Sequence, residues 1–227
     1  MPSTNIHQMI ERIKLRGCNA YFIRDGGERY LVDTGIPGNL KRVKAEVNEL
    51  DGIIITHAHY DHAGSAYEIS EHFSCSIYAH RKDHPYLSGE REFRFQGFVG
   101  NFIKRLEKLR KMKNFKAKDI SDLRLKSFEV IHLPGHTPGS IALRSNSTLI
   151  CGDVLRAVKK RIFFGEYHLR ASSKNFNWDN SEYVKSLYRL SEFGKLTVLP
   201  GHGEKISADG DKLMKIAERM KNGLGGI

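Results

Sequence analysis

The stretch Ile53-Ile54-Ile55-Thr56-His57-Ala58-His59-Tyr60-Asp61-His62 decides how the rest of the chain is read. Its first three residues are β-branched and apolar, the composition of a buried strand. Three imidazoles and a carboxylate then fall within the six positions from His57 to His62. Ala63 to Phe73 has helical composition, which places the His/Asp cluster on a loop between strand and helix. A strand end holds such a loop rigidly, and metal ligands require that rigidity. Imidazole nitrogens with one carboxylate oxygen suit zinc or a similar divalent ion. His57 and His59 can face the same way where the backbone between them is extended, while Asp61 and His62 continue around the turn. A single histidine is more often a surface or core residue than a ligand. A cluster this dense at a strand end reverses that expectation.

The pattern H-x-H-x-D-H resembles the signature of the metallo-β-lactamase superfamily, and the family's other motifs follow in order. His136 lies in Leu133-Pro134-Gly135-His136-Thr137-Pro138-Gly139-Ser140, Asp153 in Ile150-Cys151-Gly152-Asp153, and His202 in Leu199-Pro200-Gly201-His202-Gly203. Each follows an apolar run and so marks a further strand end. Leu31-Val32-Asp33-Thr34-Gly35 matches the first motif, in which the aspartate supports the site from outside. The resemblance implies an α/β fold, the four-layer αβ/βα sandwich, as a single domain over 1–227. It also implies two divalent metals, zinc expected and iron or manganese the alternatives. His57, His59 and His136 would hold the first, Asp61, His62 and His202 the second, and Asp153 would bridge them. A hydroxide shared by the two ions would be the nucleophile, with Asp61 and Asp153 the catalytic carboxylates.

With 227 residues the chain can bury a sizeable core. No apolar run is long enough to cross a bilayer, and Met1 to Gly17 lacks the apolar stretch of a signal peptide. Cys18, Cys75 and Cys151 are widely spaced without a C-x-x-C pair, which suits a reducing compartment. Together these features predict a cytoplasmic protein. The excess of 37 Lys+Arg over 26 Asp+Glu gives a net charge of +11. That excess attracts anionic partners, but a solvated surface explains it equally well, so charge alone names no substrate.

Strands are expected at Ile6–Lys14, Asn19–Ile23 and Arg29–Val32, the last two joined by a turn at Asp25-Gly26-Gly27. A helix is expected over Gly38–Leu50, with Leu40, Val43 and Val47 on one face. The segment from about 81 to 126 breaks the rhythm and reads as a helical, basic insertion. Its aromatic residues Phe93, Phe95 and Phe98 could line an acyl pocket or lid. Strand signals resume at Phe128–Ile131, Ser140–Leu143 and Thr148–Cys151. Helices at Asp179–Phe193 and Asp209–Lys221 flank a strand at Leu196–Leu199.

Among hydrolases the Thr-His-x-His-x-Asp-His and Pro-Gly-His-Thr-Pro-Gly motifs look most like glyoxalase II, its small relatives and lactonases. An ester, thioester or lactone is therefore the expected substrate. Glyoxalase II carries a helical glutathione-binding domain for which this chain leaves no room after His202. Val154-Leu155-Arg156-Ala157-Val158-Lys159-Lys160 replaces the family's glycine- and arginine-rich stretch. Acyl-homoserine lactonases often carry tyrosine where this chain has Arg156, and Tyr167 is a substitute candidate. Arg156, Lys159, Lys160, Arg161 and Tyr167 are candidate substrate contacts for an anionic or acyl-bearing small molecule. A nuclease or phosphodiesterase of the same fold is the first alternative, a mononuclear-iron persulfide dioxygenase the second, and a non-enzymatic metal-binding protein the third. Nucleic acid is the less favoured partner, no membrane is expected, and a homo-oligomer stays open.

Overall fold

The computed structural model describes residues 9–93, 112–159 and 165–223. These fall into two compact units, the first built from residues up to 92 with 112–129, the second from 93 and 130 onward. Phe95, Phe98, Lys160, Arg161 and most of the basic stretch after Asn101 lie outside the described residues, as does Ile6.

The first unit is organised on a six-stranded sheet in simple chain order: β1 (Ile10–Lys14), β2 (Asn19–Asp25), β3 (Glu28–Val32), β4 (Gly52–Ile54), β5 (Ser76–Ala79) and β6 (Lys118–Asp119). The first three strands run antiparallel and the last four parallel. Gly26 and Gly27, at φ 62° and 97°, close the β2–β3 hairpin in the left-handed geometry that matches strand twist. Leu31, Val32, Ile53 and Ile54 are fully buried, and each such side chain stabilises the fold by about 1.5–3 kcal/mol. Helices α1 (Leu40–Glu46), α2 (Tyr60–Ala63), α3 (Ala66–Phe73) and α4 (His84–Leu87) fill the connections.

Two expectations change here. The helix expected over Gly38–Leu50 is confined to α1, because Val47 turns extended at φ −132° and ψ 124°. The segment after the metal loop is two helices, so Asp61 and His62 belong to α2 and not to a loop. The His62 carbonyl accepts from Thr34 N at 2.7 Å and Thr34 Oγ1 at 2.9 Å, which draws it away from the helical ladder and breaks the helix. A Cβ on Gly64, in that break, would press on Pro37 and on the carbonyls of Tyr60 and Gly35.

In the second unit a five-stranded sheet runs β13 (Ile206–Ala208), β12 (Leu196–Leu199), β9 (Thr148–Ile150), β8 (Ile141–Ser145), β7 (Glu129–His132). β12 and β9 are parallel, while β13 and β8 join them antiparallel. β10 (Leu155–Lys159) and β11 (Tyr167–Ala171) form a separate antiparallel ribbon. Neither that ribbon nor β13 is expected from the sequence: Arg, Lys and His blur the ribbon's alternation, and β13 is only three residues long. Helices α5 (Asn180–Ser191) and α6 (Gly210–Lys221) bury Tyr183, Leu187, Leu190, Leu213, Ile216 and Met220 in the unit's core. Asp179 caps α5 by accepting from Ser181 N and Glu182 N at 2.8 and 3.0 Å, and those bonds hold its carboxyl below the usual carboxylate range.

Candidate metal centre

In the first unit the donors come from one continuous segment. β4 ends at Ile54, and His59, extended at φ −71° and ψ 148°, leads into α2. His57 and His59 do face a common space, with ring centroids 4.8 Å apart, and His57 and His62 approach to 4.1 Å. Ligand atoms of His57 lie within 4.8 Å of those of His59 and of His62, and Asp61 lies as near to His62. The three histidines are buried and Asp61 is half-buried.

Asp33 organises this segment. It sits at φ 64°, a left-handed conformation uncommon for a residue with a side chain, and it is buried. Its Oδ1 accepts from Thr56 N at 2.8 Å and its Oδ2 from Thr56 Oγ1 at 2.7 Å. Because the Thr56 hydroxyl donates to Asp33, it can only accept from His57 Nδ1, 3.1 Å away. His62 Nδ1 meets Asp33 Oδ2 at 2.7 Å and likewise carries the proton. One carboxylate thus sets two tautomers, and both rings keep an Nε2 lone pair for a metal. Asp33, expected to support the site from outside, touches Thr56 and His62 directly. A second buried carboxylate, Asp83, accepts from Ala58 N at 2.9 Å, between His57 and His59. Nothing in the sequence marks it.

The second unit takes its donors from three separate strand ends. His136 follows β7, Asp153 follows β9 and His202 follows β12. His136 Nε2 and His202 Nε2 stand 4.0 and 3.4 Å from Asp153 Oδ2. Two donors to one ion, each about 2.1 Å from it, stand roughly 3–4 Å apart, so this spacing fits shared coordination. His136 Nδ1 lies 2.9 Å from Asn177 Oδ1 and 3.1 Å from Ser172 Oγ. The Asn177 amide nitrogen donates to Asn180 Oδ1 at 2.8 Å, which turns its oxygen toward the imidazole and fixes the Nδ1–H tautomer.

Tyr183 is the hub of this unit. Its buried hydroxyl donates to Val154 O at 2.6 Å and accepts from Ser172 N at 2.7 Å, tying the Asp153 segment to the residue beside His136. Burial pushes its pKa well above the usual phenol range, a bond from Ser172 N opposes this, and Asp153 adds to it. Backbone bonds fix the loops themselves: Trp178 N to His136 O at 3.0 Å, Asp179 N to Gly135 O at 2.9 Å, and Ala157 N to His202 O at 3.0 Å. Asn177, Ser172, Tyr183 and Asp83 all escape sequence reasoning, since each acts on a segment far away along the chain.

Of the expected substrate contacts, Arg156 is half-buried on β10, whereas Lys159 and Tyr167 face each other, exposed, at the far end of the ribbon. Phe93 is half-buried at the limit of the described residues.

Neutral imidazoles with fixed tautomers, and carboxylates at strand ends, suit divalent metal ions, and they define a metal-binding α/β protein. The family profile of the metallo-beta-lactamase superfamily matches residues 13–202. The chain belongs to that superfamily, as a metal-dependent hydrolase. It is 26% identical over 232 residues to the probable metallo-hydrolase YflN of Bacillus subtilis (strain 168), covering 90% of this chain and 88% of that protein. It is 31% identical over 156 residues to the probable metallo-hydrolase MJ0888 of Methanocaldococcus jannaschii, covering 64% of this chain and 72% of that protein. Among solved structures, the di-iron-bound form of TTHA1623 is 24% identical with a TM-score of 0.63, over 92% of this chain and 98% of that one. BLEG-1 B3 metallo-beta-lactamase is 24% identical with a TM-score of 0.61, over 96% of this chain and 100% of that one. These structural likenesses establish the fold. Among the described residues, no helix is long and apolar enough to cross a membrane.

Proposed function

We propose that the chain hydrolyses a carboxylic ester, thioester or lactone at a dinuclear metal centre. In this reading 1–227 is one domain of the family, and His57, His59 and His136 hold one ion. Asp61, His62 and His202 hold the other, with Asp153 shared and zinc the expected metal. The observation that carries the proposal is the fixing of the imidazole tautomers: Asp33 and Thr56 engage Nδ1 of His62 and His57, and Asn177 engages Nδ1 of His136. Three rings held that way present Nε2, the form a metal ligand needs and a merely structural histidine does not.

Divalent ions bound there would supply an activated water and polarise the carbonyl under attack. The chain's own part is to orient donors and move protons. Asp61, half-buried in the first turn of α2, accepts the nucleophile's proton as the attack proceeds. Asp153 holds its carboxylate toward both His136 and His202. The preference for carbon–oxygen or carbon–sulfur bonds over phosphodiesters rests on the glyoxalase- and lactonase-like motifs. The probable metallo-hydrolases among the relatives agree with hydrolysis in general.

The test pairs elemental analysis of protein purified without added metal with turnover of ester, thioester, lactone and phosphodiester substrates. About two zinc ions per chain and chelator-sensitive hydrolysis of one of the first three, lost in Asp61→Ala and Asp153→Ala, are expected. One iron with oxygen uptake in the presence of a persulfide would move the chain to the dioxygenases. Full metal without turnover would make it a binding protein.

A further inference from the structure

Among the described residues, four aspartates stand at the start of a helix or helical turn, and three of them serve it locally. Asp119 accepts from Ser121 N, Asp179 from Ser181 N and Glu182 N, and Asp209 from Lys212 N. Such caps satisfy amides that a first turn leaves open. Asp83 heads α4 and makes no cap bond, although even the three-residue turn Ile120–Asp122 receives one. Its carboxylate reaches 25 residues back instead, to accept from Ala58 N at 2.9 Å. Asp83 and Ala58 are buried, at 1% and 4% exposure, so water cannot replace this bond at either end.

Ala58 N belongs to the peptide that joins His57 to Ala58. Asp83 therefore fixes a peptide plane between two candidate ligands. Side chains two residues apart on extended backbone share a face, and the ligand atoms of His57 and His59 lie within 4.8 Å of each other. Asp33 does not cover this step, since its oxygens engage Thr56 and His62. The other end of the bond sits in a segment with bonds of its own. Asp83 N donates to His80 O at 2.8 Å, Ser88 N to His84 O at 2.9 Å, and Phe115 N to Leu87 O at 3.0 Å. The Ala58–Asp83 bond thus ties the loop of the metal donors to the turn Arg81–Leu87.

We infer that Asp83 is a positioning residue for the metal: it holds the His57–His59 pair at the separation an ion needs, and through the same bond the ion orders the Arg81–Leu87 turn. Coupling of this kind is reciprocal, so the factor by which the turn strengthens metal binding is the factor by which metal stabilises the turn. Asp83 touches neither metal nor substrate. The inference rests on the reading of His57 and His59 as ligands and is independent of the bond that is hydrolysed.

The experiment compares wild type with Asp83→Ala, which removes the acceptor, and Asp83→Asn, which keeps one. Asp119→Ala, which removes a cap serving only its own turn, is the control. Competition for zinc against a chromogenic chelator reads affinity at a temperature where thermal midpoints show every variant folded. A residue that merely stabilised the fold would leave that affinity unchanged. Asp83→Ala is expected to hold one of the two zinc ions about 10- to 100-fold more weakly than wild type. Asp83→Asn recovers most of the loss, and Asp119→Ala binds as wild type. Hydrogen exchange supplies the second readout: zinc should slow exchange over residues 81–91 in wild type, and should do so much less in Asp83→Ala even at saturation. Should Asp83→Ala not fold, Asp83→Glu takes its place, with the acceptor displaced by one methylene and about a 10-fold loss expected. Equal zinc affinity in wild type and the Ala or Glu variant overturns the inference, and so does equal protection of 81–91 by zinc in both. Zinc bound as expected with no turnover of any substrate sinks the hydrolase reading alone. Wild type that binds no zinc or other divalent ion sinks the metal centre and this inference with it.

Discussion

The two units hold their candidate metal donors in opposite ways. The first draws four from one segment, His57 to His62, and steadies its rings with a single anion, Asp33, whose oxygens govern both His57 and His62. The second gathers three from separate strand ends and steadies them with neutral groups, Asn177, Ser172 and the Tyr183 hydroxyl. A contiguous set can share one organiser, because its members travel together on one loop. A dispersed set needs its loops pinned one at a time, and the pinning is done by backbone packed too closely for side chains.

Close backbone approach at glycines occurs in both units, at Gly64 against the Tyr60 and Gly35 carbonyls in the first, but in the second it pins the loops that carry the separate donors. Gly135 sits at φ 127° with the backbone of Tyr183 against it, and Gly203 at φ 93° with the Ala157 carbonyl against it. A Cβ at either would collide with backbone that cannot yield. Gly27, in the first unit, has a similar φ of 97° but nothing within 4 Å of a modest side chain. Gly27→Ala should therefore cost only the left-handed strain, about 1–2 kcal/mol, whereas Gly135→Ala and Gly203→Ala should each cost about 3 kcal/mol or more. Denaturant midpoints measure this. Equal losses at all three positions would mean that the loops of the second unit are not pinned by close backbone approach.

The next effect is on metal affinity. Asp33→Ala releases two imidazoles at once, whereas Asn177→Ala releases only His136. Supporting partners of metal ligands are worth roughly 10- to 100-fold in affinity, so Asp33→Ala is expected near the top of that range and Asn177→Ala near the bottom. Competition with a chromogenic chelator gives both numbers. Should Asn177→Ala lose as much metal as Asp33→Ala, the idea of one shared organiser against several local ones is wrong. Asp33→Asn sharpens the result: it retains an acceptor for Thr56 N but no longer presents a carboxylate to His62 Nδ1.

How much of this the sequence could reveal follows the same division. The donors of the first unit stand out because they crowd into one stretch after an apolar run, and Asp33 because it ends another. His136, Asp153 and His202 are single residues, legible only through the family resemblance. The supports are silent. Asn177 reaches back 41 residues to His136, and Asp83 reaches back 25 to Ala58, distances at which no local pattern survives. The helix break at Gly64 is equally hidden, since it depends on Thr34, just past the end of β3, capturing the His62 carbonyl. The β10–β11 ribbon escaped for a different reason: its outward face holds Arg156, Val158, His168 and Arg170, which reads as a basic loop and not as alternation.

The smallest effect tests whether each unit's support is local. Cys18 and Cys151 are buried, at 5% and 0% exposure, one in each unit. Cys75 is half-buried, and burial pushes its thiol up to about 11, so at pH 8 only about one part in a thousand is thiolate. Native protein treated with iodoacetamide at that pH should label slowly at Cys75 and not at the other two. His62, Asp33 and Asp61 all lie close enough to the Cys18 thiol to act on it electrostatically. Asp33→Ala should loosen that neighbourhood and admit reagent to Cys18, while Cys151 stays protected. Peptide mapping by mass spectrometry separates the sites. Labelling at Cys18 and Cys151 together would mean that losing Asp33 opens both units, and that the carboxylate supports more than the loop it touches.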